Sequence, residues 1–355
     1  MSPDHQHANG EIDIASLHAQ DSTGLLARID RAVVWDIPLT TPFRGITRRD
    51  GVLLHGPGGW GEVAPFWDYG LEASAPWLAS GLCQALGNSL LPRYRETISV
   101  NVTVPEVGAQ DASDLVRASG ARTAKVKVSG SSSKRSADLE RLEAVRSVLG
   151  RSGKVRIDVN GAWDLDTARE NLPLMDRAAG GLEYAEQPCA TVYDLADLRR
   201  AVDVPIAADE SIRLSANPLE IVHRRAADVA ILKVAPLGGV HRAMDMAERL
   251  GLPTVVSSAL DTSVGIMAGA TLAFSLPSLS HACGLGTTYL LTQDVADPSV
   301  RPSNGTLRLD AAAPVSERLL DEVKAGPYLT KHWQTRLLHL AGALHARRQR
   351  EARDP

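Results

Sequence analysis

The chain has 355 residues, 44% of them apolar and 23% charged, with a formal net charge of −4. That is ordinary globular composition and more chain than one core usually holds, so two domains are expected. It argues against a nucleic-acid partner, because the basic run at 347–353 is short and reads as a solvated helix end. No apolar run has the length of a membrane span, and Cys83, Cys189 and Cys283 have neither disulfide-framework nor zinc-site spacing. A reduced, cytoplasmic setting is expected.

In chain order, residues 1–24 are polar and lack the apolar core of a secretion signal. They are expected to form a disordered leader in which His5 and His7 have no metal role. Residues 25–96 read as a small α+β domain. Strand-like runs Val33-Val34-Trp35 and Val52-Leu53-Leu54 precede a helical stretch at 71–91. From 97 to 288 the rhythm changes. Strand candidates fall at 98–102, 123–128, 155–159, 182–186, 205–208, 228–233, 253–257 and 280–283. Amphipathic helices are expected between most of them, at 136–149, 165–178, 192–201 and 239–250. Such alternation means βαβ units and a parallel sheet, and eight strands suggest a closed (β/α) barrel. Residues 289–355 lack a clean barrel unit and are expected to return to the N-terminal domain, ending in a helix near 331–348.

A barrel places its chemistry at the C-terminal ends of its strands. Here those ends read Lys125-Val126-Lys127, Asp158-Val159-Asn160, Glu186-Gln187-Pro188, Asp209-Glu210-Ser211, Lys233, and Ser257-Ser258. They lie 23 to 31 residues apart, about one βα unit each. Alternation along a strand puts Lys125 with Lys127, Asp158 with Asn160, and Glu186 (rather than Glu183) on the inner face. Each motif alone is weak: paired lysines are often a solvated face, and Asp-x-Asn or Asp-Glu-Ser often caps a helix. The conjunction carries the case. Two carboxylates about 4 Å apart repel by roughly 4 kcal/mol at an effective dielectric near 20. A divalent cation held by Asp158, Glu186 and Asp209 would relieve that repulsion. Oxygen-only ligands favour Mg²⁺, with Mn²⁺ as the other fit. Lysines flanking such an ion, Lys127 with its neighbour Lys125 and Lys233 across from them, would have depressed basicity suited to a general base. The arrangement suits removal of a proton beside a substrate carboxylate.

In this order, Lys-x-Lys, Asp-x-Asn, Glu-Gln-Pro, Ala-Asp-Glu-Ser and Lys-x-x-x-x-Gly-Gly resemble the muconate-lactonising-enzyme subgroup of the enolase superfamily, from about residue 26 to the end. The pairing of a lysine base with Mg²⁺ is a known example for that superfamily. The resemblance implies an α/β fold, a modified TIM-type (β/α)7β barrel, with an α+β capping domain built from the N-terminal segment and the C-terminal tail. It implies metal ligands Asp158, Glu186 and Asp209, a catalytic base Lys127, and Lys233 on the opposite face. Cap loops at 40–45, with Arg44, and at 56–62 would close over the mouth. Within the subgroup the chain is most similar to the o-succinylbenzoate synthase family of menaquinone synthesis. That likeness implies syn loss of water from a small carboxylated substrate, and a serine-rich loop at 257–265 holding a succinyl carboxylate. Ser257 and Ser258 read equally as caps of the next helix. An N-succinylamino acid racemase or a muconate cycloisomerase would use the same lysines. A non-catalytic barrel that binds a carboxylate would leave them idle. Strand eight lacks the Asp-x-Asp of dipeptide epimerases. The oligomeric state stays open.

Overall fold

A computed structural model describes residues 10–308 and 314–353. His5 and His7 lie outside the described residues. Strands β1 (Arg31–Phe43), β2 (Ile46–Gly56) and β3 (Gly59–Val63) form an antiparallel sheet. The β1–β2 turn is Arg44-Gly45, both with positive φ (53° and 75°). Such a turn matches the right-handed twist of the strands it joins. The helix Leu71–Ala85 packs on β3 so tightly that a Cβ on Gly61 would sit 1.9 Å from the carbonyl oxygen of Gly81. The C-terminal helix Pro327–Arg353 completes this cap, burying Trp333, Leu337, Leu340 and Leu344 along one stripe against Leu78 and Leu82.

The leader departs from the expectation of disorder from Gly10 onward. Backbone bonds Ile12 N to Ala32 O (3.0 Å) and Val34 N to Gly10 O (2.7 Å) add it to the edge of β1. Asp13 caps the short helix Ile14–Gln20, and Leu17 is fully buried in the cap core. The physical reason is local: one cap and two well-placed apolar residues, Ile12 and Leu17, anchor a segment whose average composition is polar.

The second body is a curled parallel sheet. Strand β4 (Thr97–Ser99) precedes β5 (Val102–Val104), β6 (Thr123–Lys127), β7 (Lys154–Asp158), β8 (Tyr184–Glu186), β9 (Ile206–Ala208), β10 (Val229–Lys233) and β11 (Thr254–Ser257), and β12 (Thr306–Arg308) follows. Strands β5 to β11 pair in sequence order. Bridges Val100–Cys283 and Ser257–Gly284 bring the two ends of the sheet to a common eighth segment. The expected first strand at 98–102 is thus split. Thr97–Ser99 pairs antiparallel with β12, and the barrel strand starts at Val102. Alternation marks an extended segment but not its partner. The helices Arg135–Leu149, Leu165–Ala178, Val192–Ala201 and Val240–Leu250 lie within a residue of their expected bounds.

Parity organises the barrel core. Outward residues Val126, Ile157, Ala185, Ala208, Leu232 and Val256 join the large strand–helix core. Inward residues Tyr184, Ala207, Val229, Ile231 and Val255 form a separate small cluster inside the barrel. The charged strand ends sit on that same inward face, two positions further along: Glu186 after Tyr184, Asp209 after Ala207 and Lys233 after Ile231.

Candidate active site

The strands deliver polar side chains to one mouth. β6 ends in Lys127, β7 in Asp158, β8 in Glu186, β10 in Lys233 and β11 in Ser257, and Asp209 follows β9. Cα register sets Lys127 beside Asp158, Asp158 beside Glu186, and Lys233 beside Ser257. Lys127 and Lys233 therefore flank three strands that carry the carboxylates. All three carboxylates are essentially buried.

The Lys125 Nζ donates to Asp158 Oδ2 (2.8 Å) and Glu186 Oε1 (3.1 Å). The Lys127 Nζ donates to Asp158 Oδ2 (2.6 Å) and Asn160 Oδ1 (2.5 Å), and lies 5.3 Å from the centre of the Phe43 ring. Across the mouth, Lys233 Nζ donates to Asp209 Oδ2 (2.6 Å), whose other oxygen accepts from Arg213 Nε (2.9 Å).

Burial raises the Asp158 carboxyl, but Lys125 and Lys127 overcome it and hold the group well below the usual carboxylate range. Glu186 goes the other way. Burial and then the neighbouring Asp158 push it up to about 7, against Lys125. Asp209, raised by burial, is brought down to about 2 by Arg213 and Lys233. The lysines diverge as well. Burial depresses Lys127, Asp158 opposes that, and Lys125 adds to the depression. Burial also acts on Lys125, yet Asp158 and Glu186 reverse it, so Lys125 stands well above its usual value. Lys125 is a fixed cation; Lys127 is the one whose amine is easier to free.

These residues fit a divalent cation by chemistry: three buried carboxylates on adjacent strand ends, all-oxygen donors, and one carboxyl raised by burial and by the neighbouring Asp158. Among the described residues, no three His, Cys, Asp or Glu side chains stand as a metal-holding group. The ammonium groups of Lys125, Lys127 and Lys233 take up the carboxylate oxygens instead.

Asn160 adopts a positive φ of 53°, and its backbone N donates to Asp158 Oδ1 (3.2 Å). It is both a turn residue and the partner of Lys127. Asp209 begins the short helix Glu210–Arg213 without a side-chain cap bond. Ser257 and Ser258 do not cap the helix Ser263–Ser275 either; Thr262 does. The Ser258 hydroxyl instead donates to the Gly284 carbonyl (2.6 Å) and lies 2.8 Å from Thr287 Oγ1. Both serines line the pocket.

The cap reaches the pocket at Phe43, Arg44, Phe66, Tyr69 and Trp77. Arg44 stacks 4.2 Å from the centre of the Phe66 ring and bonds Asp68 (3.3 Å). The expected loop at 56–62 is not part of the lining. It is a hairpin, with Gly56 paired to Gly59, whose strand β3 turns its polar residue elsewhere. The 40–45 stretch is likewise strand up to Phe43, with only Arg44-Gly45 as its turn.

Two residues were not singled out from the sequence. Arg213 bonds Asp209, Glu210 (2.6 Å) and the Tyr69 hydroxyl of the cap (2.5 Å). Gln187 accepts from the backbone N–H of Asp209 (3.0 Å) and Ser211 (3.2 Å), fixing the approach of Asp209. Gln187 lies within the Glu-Gln-Pro motif, so that signal was present; Arg213 follows its motif by two residues.

Residues 108–314 match the enolase C-terminal domain-like family, and 34–85 match the enolase N-terminal domain-like family. The chain is 52% identical over 305 residues to an o-succinylbenzoate synthase of Thermobifida fusca (strain YX), covering 85% of this chain and 93% of that one. It is 47% identical over 310 residues to an o-succinylbenzoate synthase of Mycobacterium ulcerans (strain Agy99), covering 87% and 93%. In fold it is similar to the muconate lactonizing enzyme of Pseudomonas putida, at 21% identity and a TM-score of 0.68, covering 83% of this chain and 99% of that one. A strand order, a charged mouth and a two-part cap thus coincide with similarity over most of the chain, and the chain belongs to the enolase superfamily, in the o-succinylbenzoate synthase family.

Proposed function

We propose that this enzyme forms o-succinylbenzoate by removing water from a hydroxycyclohexadiene carboxylate that bears a succinyl arm. What supports the reading is the 52% identity to an o-succinylbenzoate synthase over most of both chains, together with two lysines flanking three carboxylate-bearing strand ends. Enolase-superfamily enzymes work with a divalent ion, and Mg²⁺ is the one this oxygen donor set suits. Asp158, Glu186 and Asp209 would hold it, and it would supply positive charge to the substrate carboxylate.

The residues of the chain divide the remaining work. Lys127, as the neutral amine, takes the proton from the carbon beside the carboxylate. The C–H electrons form the new ring double bond, the C–O bond to the hydroxyl breaks, and the proton on Lys127 leaves with that hydroxyl as water. Lys127 begins and ends neutral, so one residue serves as base and then acid. Asn160 orients Lys127 through its Oδ1. Lys125 stays charged and lowers its neighbour. Lys233, held by Asp209, faces the forming ring from the opposite side as its cation–π partner. Arg44 and Ser257-Ser258 line the space left for the substrate's arm.

The second reading is an N-succinylamino acid racemase, favoured by the same pair of lysines on opposite sides. A mass-resolved assay in D₂O with both substrates decides. Loss of 18 mass units from the cyclohexadiene acid supports dehydration. Deuterium uptake by the N-succinylamino acid, with no water lost from the other substrate, would replace it with racemisation.

A further inference from the structure

The loop after β11 that lines the pocket is held from outside the barrel. It runs from Ser257 at the end of β11 to Thr262, which caps the helix Ser263–Ser275. Within it Leu260 sits at φ +59°, in the left-handed region a branched apolar residue rarely adopts. A conformation of this kind is strained and persists only where surrounding contacts over-determine it.

Those contacts come from two side chains of the cap sheet. Glu62 of β3 is buried, and its carboxyl accepts from the backbone N–H of Thr262 (3.1 Å), the Thr262 hydroxyl and the backbone N–H of Gly265 (3.0 Å). Arg49 of β2, also buried, donates to the carbonyl oxygens of Ala64 and Ala259. Asp261 turns back onto the loop, accepting from Ala259 N (3.0 Å). The packing leaves no slack. A Cβ on Gly265 would lie 2.7 Å from Asp261 Cβ and 3.1 Å from Glu62 Oε2. The Leu260 side chain, in turn, packs with Phe66, Trp77 and Leu290, so loop and cap share one small apolar cluster at the pocket. On its other side the loop is tied to the eighth segment through Ser258 and Gly284.

We infer that Glu62 and Arg49 are positioning residues for specificity: by clamping the 257–262 loop against the cap, they aim Ser257 at the free carboxylate on the substrate's succinyl arm, while Ser258 spends its hydroxyl proton on Gly284 and ties the loop down. This deepens the proposed dehydration and rests on it. Neither residue lines the pocket; Glu62 acts through the loop, and Arg49 through the loop and the Phe66 ring on which it stacks, 4.1 Å from its centre. The clamp needs acceptor oxygen at Glu62 rather than its charge, since the donors it faces are two peptide N–H groups and a hydroxyl. An amide at this position still presents one oxygen to them.

The test measures discrimination. Steady-state kinetics are run on the cyclohexadiene substrate and on its primary amide at the succinyl carboxylate. Dissociation constants are measured in parallel for o-succinylbenzoate and its corresponding amide. Glu62→Ala should raise KM and the o-succinylbenzoate Kd at least tenfold, leave kcat within about threefold, and reduce the preference for the free carboxylate about tenfold. Glu62→Gln should restore the wild-type preference to within threefold. Gly265→Ala, which drives a methyl into the clamp from the helix side, should lose the preference as Glu62→Ala does, and it carries the test if Glu62→Ala does not fold. The inference is overturned if folded Glu62→Ala or Gly265→Ala keeps the wild-type preference, or if Glu62→Gln is as impaired as Glu62→Ala. Its failure is separable from that of the function. Wild-type protein that turns over nothing sinks the dehydration, whereas active wild type with an unaltered preference in the variants sinks the clamp.

Discussion

The two ends of the barrel interior both bury charge, and they treat it differently. At the lower end Arg156, two residues before Asp158 on β7, donates to Glu183 (2.6 Å), to Asn101 Oδ1 (3.1 Å) and to the Ala282 carbonyl (2.8 Å). Glu183 also meets His281 Nδ1 at 3.2 Å. Burial raises Glu183, but the His281 hydrogen bond and Arg156 bring it down to about 2. Cation and carboxylate here hold each other in their ordinary charged forms. At the upper end, about two strand residues away, three carboxylates and three lysines crowd together. There one carboxyl is pushed up to about 7 and Lys127 is depressed. The comparison teaches that burial of charge alone does not mark a reactive centre. Charge that its neighbours leave unbalanced does.

Four probes press on that contrast. The largest effect belongs to Lys127→Ala, which should lower kcat/KM by about 10³–10⁴-fold while the melting temperature stays near wild type. A variant within tenfold of wild type would show that the upper-end lysine is not the base. Next, Mg²⁺ at 100 times its Kd should stabilise the wild type by about 2.7 kcal/mol, and Asp158→Ala or Glu186→Ala should abolish that gain. An unchanged thermal shift in both variants would remove them as ligands.

The third probe is at the lower end. Glu183→Gln should cost about 2 kcal/mol of stability, less than a fully buried pair because the group is partly exposed, and should leave kcat unchanged. The sign of its pH dependence follows from a carboxyl at about 2 in the folded protein against an ordinary 4.5. Its stabilisation is complete above about pH 4.5 and is lost as pH falls towards 2. In acid titrations the variant should therefore lose the steep limb between those values. A Glu183→Gln protein with the wild-type acid profile would show that the lower pair carries no stability. The smallest effect is Lys233→Arg, expected to cost about tenfold in kcat because a planar guanidinium replaces a compact ammonium. A wild-type rate would mean that charge alone suffices on that face.

Much of this site was legible in the chain, because strand parity and βα spacing are local properties. Period-two alternation placed Lys125 with Lys127 and chose Glu186 over Glu183 for the mouth, and the fold puts each of them there. The same rule said less about Glu183. Lying just before β8, it escapes strict alternation and reaches Arg156 instead of the helix layer.

What only the tertiary structure decided is what meets across long stretches of chain. The register of the first barrel strand at Val102, the turn of residues 10–24 onto the cap sheet, the Arg213–Tyr69 bond between barrel and cap, and the hold of Glu62 on Thr262, 200 residues away, leave no periodic trace. Sequence alone determined which side chains each strand would present inward, since a strand's two faces follow from its own backbone. Which partners would balance or unbalance their charges depended on packing between elements, because burial and proximity are set only when the whole chain closes.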